Sequence, residues 1–396
     1  MNKRFIFIIT FVLFFLSRLY VLKNPPPYYS DVFHDYRRYA QMWESGLTPY
    51  LKHLYEYTPA TIPLLYFPQI LDHFRIGHYY ENYRFQIFIL DTLIFFFIYQ
   101  TIIKLKTKPI SKFLALSFYL ISSMIAKDFF YEGIDLVFIG SLALAIIFSN
   151  HRLKFWFFFW LSTGIKLMSA PLVLIFLFIK KISLKKEIKN CLIGFALVWG
   201  LPLVIFRSSL SVILYLLAHR GIKYAAFPSF VVETINYWTQ TETRLQQPPD
   251  FQLQGPISVM AEKVVAIVFP LSILVVLAYG LYMVLKKRSQ LNPYTFGLKI
   301  SLIYILTIFL TGKIFSQPFH IWLLPLIALY PFKSIKKQLI FIFLTFWLLI
   351  IDTTPWIRVN ETLMVYPPLP MKFFIYSLRF IPMFTLLGLS SKLENK

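Results

Sequence analysis

A chain of 396 residues with 58% hydrophobic and only 15% charged residues is not an ordinary soluble domain, in which about a quarter of residues carry charge. Its net charge of +22 does not mark a nucleic-acid surface either, because Lys and Arg fall in short breaks between apolar runs: Lys104/Lys106/Lys108/Lys112, Lys180/Lys181/Lys185/Lys186/Lys189, Lys286/Lys287/Arg288 and Lys333/Lys336/Lys337. That placement is the positive-inside pattern of cytoplasmic loops against anionic lipid, and it predicts an all-α polytopic membrane protein with membrane lipids, not nucleic acid, around it.

Taken in chain order, Lys3 and Arg4 keep the N-terminus inside. The run after them carries Arg18 and no small-residue cleavage pattern, so it reads as a retained first helix, about 5–22. It delivers 23–83 to the outer face. There Phe33, Tyr36, Tyr39, Ala40 and Trp43 recur at helical spacing opposite Asp35, Arg37, Arg38 and Glu44, which predicts an amphipathic helix lying in the interface. Ser30 is its expected N-cap, and Gly46, with Pro49 beyond, its stop. Asp31 at the start reads as a capping carboxylate that suits the helix dipole or as a group free for chemistry. The run 59–71 contains Pro59, Pro63 and Pro68 and is too short to cross, so it is placed as a re-entrant or interfacial segment.

Crossings follow at 84–103, 113–126 and 133–149. The stretch 155–179 is shorter than the ~40 residues that two crossings need, so it is expected to be a hairpin of short helices broken near Gly164–Pro171. Crossings at 190–206, 263–285, 299–312, 319–332, 338–351 and 372–389 bring the total to about ten and return the C-terminus inside. The whole chain, 1–396, is then one integral membrane domain. Its chemically mixed loops, 23–83, 127–132, 207–262, 313–318 and 352–371, share the outer face. Cys191 is the single cysteine, which leaves no disulfide framework and no cysteine metal site.

The order of motifs carries a resemblance. A first helix is followed by Asp31, an amphipathic helix, GLTPY (46–50) and YEYTP (55–59). That order resembles the membrane-embedded GT-C glycosyltransferases, in particular the bacterial α-1,2-mannosyltransferase-type family (glycosyltransferase family 87) and the catalytic subunit of the first GPI mannosyltransferase. FILDTLIFFF with Asp91, YEGIDLVFIG with Gly133 and Asp135, GIKLMSAPLVLIF with Lys166 and Pro171, LAHRGIKYAAF with His219 and Arg220, and GKIFSQPFHIWLLPL with Lys313 and Gln317 resemble later family elements. Pro171 sits two residues late, and Ala225 and Ala226 stand where Glu-Ser is usual.

The resemblance implies a GT-C fold and transfer of a hexose, mannose foremost, from a polyprenyl-phosphate sugar donor to a lipid-linked or glycan acceptor on the outer face of the cell membrane. It implies inversion at the sugar carbon. Breaking the donor bond leaves charge on a phosphate, which cations must stabilise; of the outer cations His219, Arg220, Lys223, Lys313 and Lys127, the candidates are His219, Arg220 and Lys313. The attacking hydroxyl needs a base within ~3 Å; Asp31 is the candidate, with Asp35 one turn on as the alternative. Tyr50, Glu56, Tyr57, Asp91, Asp135 and Gln317 are the implied substrate-binding residues. No cofactor is required; a divalent ion is the alternative. Two other classes share parts of this pattern, a lipid-linked glycan polymerase or ligase and a lipid or solute transporter.

Overall fold

The computed structural model describes residues 3–26, 30–179, 183–241, 244–245, 252–287, 290–353 and 369–394. Helices dominate. They are α1 (Lys3–Lys23), a π-helical turn (Val32–Tyr36) running into α2 (Arg37–Glu44), α3 (Ile62–His73), α4 (Tyr79–Lys104), α5 (Pro109–Ile125), α6 (Asp135–Ile147) and α7 (Arg152–Ile165). A 3₁₀ turn (Leu167–Leu172) leads into α8 (Val173–Phe176), and α9 (Leu184–Phe195) continues through a π turn into α10 (Leu201–Ile205). Then come α11 (Ser209–His219), α12 (Phe227–Thr239), α13 (Pro256–Lys287), α14 (Pro293–Thr311), a 3₁₀ segment (Gln317–Leu323) with α15 (Leu324–Leu329), α16 (Ile335–Thr353) and α17 (Leu369–Ser391). Two antiparallel two-residue strands, Arg244–Leu245 and Leu253–Gln254, pair Leu245 with Leu253.

Among the described residues, five helices are long and apolar enough to cross a membrane: Tyr79–Lys104, Leu184–Ile205, Pro256–Lys286, Pro293–Thr311 and Phe373–Ser391. The chain is a helical membrane protein on this ground. Expected crossings at 113–126, 133–149 and 319–332 form shorter apolar helices. The segment 207–262 is not the plain loop that was expected. Its apolar stretch SVILYLLA folds as α11, and α12 follows after a short loop. The expected loop 352–371 lies almost wholly outside the described residues.

The core centres on α14, which is buried from Thr295 to Leu310, and on α6, buried from Asp135 to Ile146. A helix that is apolar on all sides belongs inside a bundle. Small residues let helix axes close up: a Cβ on Gly194 of α9 would stand 2.8 Å from the Trp156 backbone of α7. Two buried ion pairs cross between helices of this core. Arg18 of α1 donates to Asp91 of α4 at 2.7 Å, and the Arg152 guanidinium meets Glu187, which also accepts from Trp156 Nε1 at 2.6 Å.

The amphipathic helix forms with two differences. The π turn widens the first coil, so Val32 and not Phe33 turns inward; Val32 is buried while Phe33 is 52% exposed. Ser30 lies at the start, but its hydroxyl does not cap the helix and donates instead to Glu132. The stop is as expected: Gly46 takes φ +83°, and the Leu47 and Gly46 amides bond Met42 and Trp43 carbonyls at 2.9 and 3.0 Å, a Schellman ending. The inner face packs on protein, with Tyr36 against Tyr57 and Tyr83 and Tyr39 against Tyr55.

Candidate active site

Four of the mixed segments converge on one cavity of about 1130 Å³. The amphipathic helix contributes Asp31, Asp35, Tyr36 and Arg38; the YEYTP segment contributes Glu56, Tyr57 and Thr58; the turn after α5 contributes Asp128 and Glu132; and the loop after α11 contributes Arg220, Lys223 and Tyr224. Asp135 at the head of α6, Lys166 at the break of the hairpin, and Ser316, Gln317 and Trp322 complete the polar part, with the Phe319 ring beside them. The volume exceeds a drug-sized pocket of roughly 300–1,000 Å³.

Asp31 is the carboxylate of the set that the protein leaves unfinished. It stands at the first turn without making a side-chain cap. No side chain among the described residues donates to it. Burial raises its carboxyl from 3.8 to about 6; Lys223 pulls it down, Asp35 and Asp135 push it up, and Lys166 pulls it down more weakly. A base that titrates near neutral pH is what proton abstraction from a hydroxyl requires.

The position of Asp31 is set by the residues around it. Ser30 donates to Glu132, which also accepts from Tyr80 at 2.9 Å and faces Arg84 at 2.9 Å. Arg84 in turn donates to the Leu22 and Val21 carbonyls at 2.9 and 2.7 Å, and so ties the end of α1 to α4. Burial raises the Glu132 carboxyl, against its bonds to Ser30, Arg84 and Tyr80. Asp135 is likewise engaged, by Lys166 Nζ at 2.7 Å and Trp322 Nε1 at 2.5 Å. Asp35 takes the Arg38 guanidinium at 3.1 Å.

The cations form the facing wall. Arg220 pairs with Glu56. Lys166 lies 4.9 and 5.0 Å from the Phe319 and Trp322 rings, within cation–π range. Lys166 is brought there by the hairpin break: α7 ends at Ile165, Lys166 is extended at φ −140°, ψ 126°, and the Thr58 hydroxyl donates to the Gly164 carbonyl. The lysine at the hairpin break thus shares the cavity of Asp31. Lys223 is fixed through its backbone, its amide donating to the Lys313 carbonyl at 2.9 Å. Behind that loop, Tyr376 and Ser229 donate to the Tyr224 carbonyl at 2.7 and 2.5 Å.

Below this polar pole the cavity is apolar. Ile213, Leu214 and Leu217 of α11 face Phe269, Ile273, Leu274 and Leu277 of α13, with Met168, Pro171 and Ile314 beside them. Leu214 and Leu274 are 59% and 58% exposed, so this arm opens on the side of the bundle and not into a closed core.

Other expected site residues lie elsewhere. Asp91 is not on the lining; it is fully buried, bonded by Arg18 and by the Tyr119 and Tyr131 hydroxyls at 3.0 and 2.9 Å, a structural role. Tyr50 stands behind the wall at φ +65°, donating its hydroxyl to the Tyr57 carbonyl at 2.5 Å. His219 turns outward onto its own helix, its Nδ1 2.8 Å from the Tyr215 carbonyl. Lys313 donates to the Ala218 carbonyl at 2.9 Å and is lowered by burial. Lys223, offered by the sequence only as one of several outer cations, lines the cavity, as do Asp128 and Glu132, expected merely to flank a tight turn, and Trp322 of the GKIFSQPFHIW stretch. Among the described residues no three His, Cys, Asp or Glu side chains converge as a metal site would require.

The class defined by fold and site is a helical membrane protein with an amphipathic, charge-lined cavity. No family model matches the chain, and neither curated proteins nor solved structures match it.

Proposed function

We propose that the protein is a GT-C type glycosyltransferase, with about ten crossings and both termini cytoplasmic. It moves a hexose, mannose foremost, from a polyprenyl-phosphate donor to a lipid-linked or glycan acceptor on the outer face of the cell membrane. The observation that carries this reading is the cavity itself. An unengaged carboxylate of raised pKa and a set of cations share the polar pole, and an apolar arm runs from that pole to the side of the bundle. A lipid phosphate sugar has this sequence of parts: tail, anion, polyol.

In this reading the prenyl chain lies along α11 and α13. Its phosphate meets Arg220 and Lys223. The acceptor hydroxyl attacks the sugar's anomeric carbon as the bond from that carbon to the phosphate oxygen breaks, and the bond's electrons pass to the phosphate. The hydroxyl proton passes to an Asp31 carboxylate oxygen. The donor phosphodiester carries one negative charge and the released phosphomonoester two, so the charge that Asp31 loses reappears on the phosphate, where the cations are preorganised to stabilise it. Inversion follows from a single in-line displacement. Asp35, held by Arg38, is the weaker candidate for the base.

Deletion of the gene followed by mass spectrometry of membrane glycolipids tests the reading. A species one hexose short is expected to accumulate. An unchanged glycolipid profile would contradict it. The broken hairpin, which places the Lys166–Asp135 pair on the cavity, is a feature a transporter would share. Translocation of a solute or lipid by purified protein in vesicles, indifferent to Asp31→Asn, would favour that second reading.

A further inference from the structure

Arg220 ends α11. Ile213 and Leu217, four residues apart, share one face of that helix, and Arg220 follows one residue beyond its last turn. Ile213 and Leu217 form part of the apolar arm and Arg220 stands at its polar end. A prenyl phosphate seated along that face brings its phosphate to the Arg220 guanidinium. A carboxylate is already bound there. Glu56, supplied by the YEYTP segment 164 positions away in sequence, pairs with Arg220. Both side chains line the cavity and both are partly exposed to it, 36% for Arg220 and 24% for Glu56.

The surrounding backbone is held independently of this pair. The Gly221 amide donates to Gln252 Oε1 at 2.8 Å, the Lys223 amide to Lys313 O at 2.9 Å, and the Tyr50 hydroxyl to Tyr57 O at 2.5 Å. The Arg220–Glu56 pair can therefore open without releasing either segment. Guanidinium binds carboxylate and phosphate with the same fork of N–H donors, so the two anions compete for one site.

We infer that Glu56 is an internal competitor for the lipid phosphate on Arg220, and that it sets how tightly the phosphomonoester product is held. This rests on the proposed reading of the site. Transfer raises the phosphate from one negative charge to two, so Arg220 alone would hold the product more tightly than the donor. Glu56 returning to Arg220 opposes that gain and speeds release. Glu56 is a positioning residue in this account, acting through Arg220, and not a catalytic one.

The test is equilibrium binding of decaprenyl phosphate to the full-length protein in nanodiscs, a measurement that needs no glycosyl transfer. Glu56→Gln is expected to tighten binding roughly fivefold or more, and Arg220→Gln to weaken it roughly tenfold or more. In the Arg220→Gln background Glu56→Gln is expected to change nothing. Inorganic phosphate and phosphatidic acid are titrated in parallel. Competition by phosphatidic acid at the same concentration as decaprenyl phosphate would assign the site to a general lipid headgroup, and competition by inorganic phosphate would assign it to a free anion; either overturns the inference. Unchanged or weaker binding by Glu56→Gln, with a melting temperature equal to that of the parent, also overturns it. Should Glu56→Gln melt early, Glu56→Asp, with its shorter reach, is expected to tighten binding by a smaller factor, and no tightening there refutes the inference. Binding that behaves as expected while transfer is absent would retain this inference and reject the glycosyltransferase reading. In a transfer assay, Glu56→Gln is expected to lower the donor KM and deepen inhibition by added decaprenyl phosphate.

Discussion

Asp91 and Asp31 are both carboxylates withdrawn from bulk water, and the protein treats them in opposite ways. Asp91 receives a guanidinium and two phenol hydroxyls from α1, α5 and the turn after α5. Its lone pairs are engaged by protein, so it fastens helices together and has nothing left to offer a ligand. Asp31 is placed by its neighbours without being engaged by them. Ser30 beside it is tied to Glu132 and Arg84, while the Asp31 carboxylate itself faces the cavity with a raised pKa. A completed carboxylate belongs to the fold; one left open in a positioned frame is available for chemistry. The two residues also carry opposite stability signs, which makes the comparison easy to break.

The largest effect is expected at Asp31. Asp31→Asn should lower transfer by about 10²–10⁴-fold, the range for loss of a general base, in an assay with labelled donor. Its stability should move the other way. A carboxyl raised from 3.8 to about 6 binds its proton more tightly in the folded state. The unfolding free energy therefore falls as pH rises between about 4 and 6 and stays lower above that window. Asn removes this loss, so at pH 7–8 the variant should melt no earlier than the parent. The gain is on the order of 1–3 kcal/mol at most. Early melting of Asp31→Asn would sink the contrast.

Asp91→Asn comes next. It strands Arg18 in the core, and removing one member of a buried pair costs about 3–5 kcal/mol. Thermal melting in detergent should drop steeply, with activity lost in step with folded protein. A third test is pH. With Asp31 as the base, kcat/KM should rise as pH passes through about 6, falling close to tenfold per unit below it. A flat profile from pH 5 to 8 would remove Asp31 from the chemical step. The smallest effect is at Asp35, whose charge raises the Asp31 carboxyl. Asp35→Asn should move the acid limb of the pH profile to lower pH by under about one unit, with the maximal rate largely kept. Loss of activity as deep as that of Asp31→Asn would exchange the two roles.

What could be read without coordinates follows the range of the interactions. Helix existence, the Gly46 stop and the break near Gly164 depend on a few neighbouring residues, and residue types speak for them directly. The meeting of Asp31, Glu56, Asp135, Arg220 and Gln317 on one cavity agrees with motif order, which put each of them in or beside a chemically mixed segment. The engagement of a charge is a different matter. Asp91 looks like a functional acid until Arg18, 73 residues away, is seen to complete it. Lys166 marks a hairpin break in the sequence, and its partner Asp135, 31 residues away, is seen only in the fold. Phe33 fails for a local reason, since a π turn shifts the inward face by one residue and periodicity at 3.6 does not foresee it.

The central claim is that Asp31 acts in chemistry while Asp91 acts in structure. The most direct measurement is transfer of labelled hexose from a polyprenyl-phosphate donor by parent, Asp31→Asn and Asp91→Asn proteins, each normalised to folded protein by its melting curve. The account predicts that Asp31→Asn folds and does not transfer, while the folded fraction of Asp91→Asn transfers at close to the parent rate. An Asp31→Asn protein that transfers at the parent rate would contradict it.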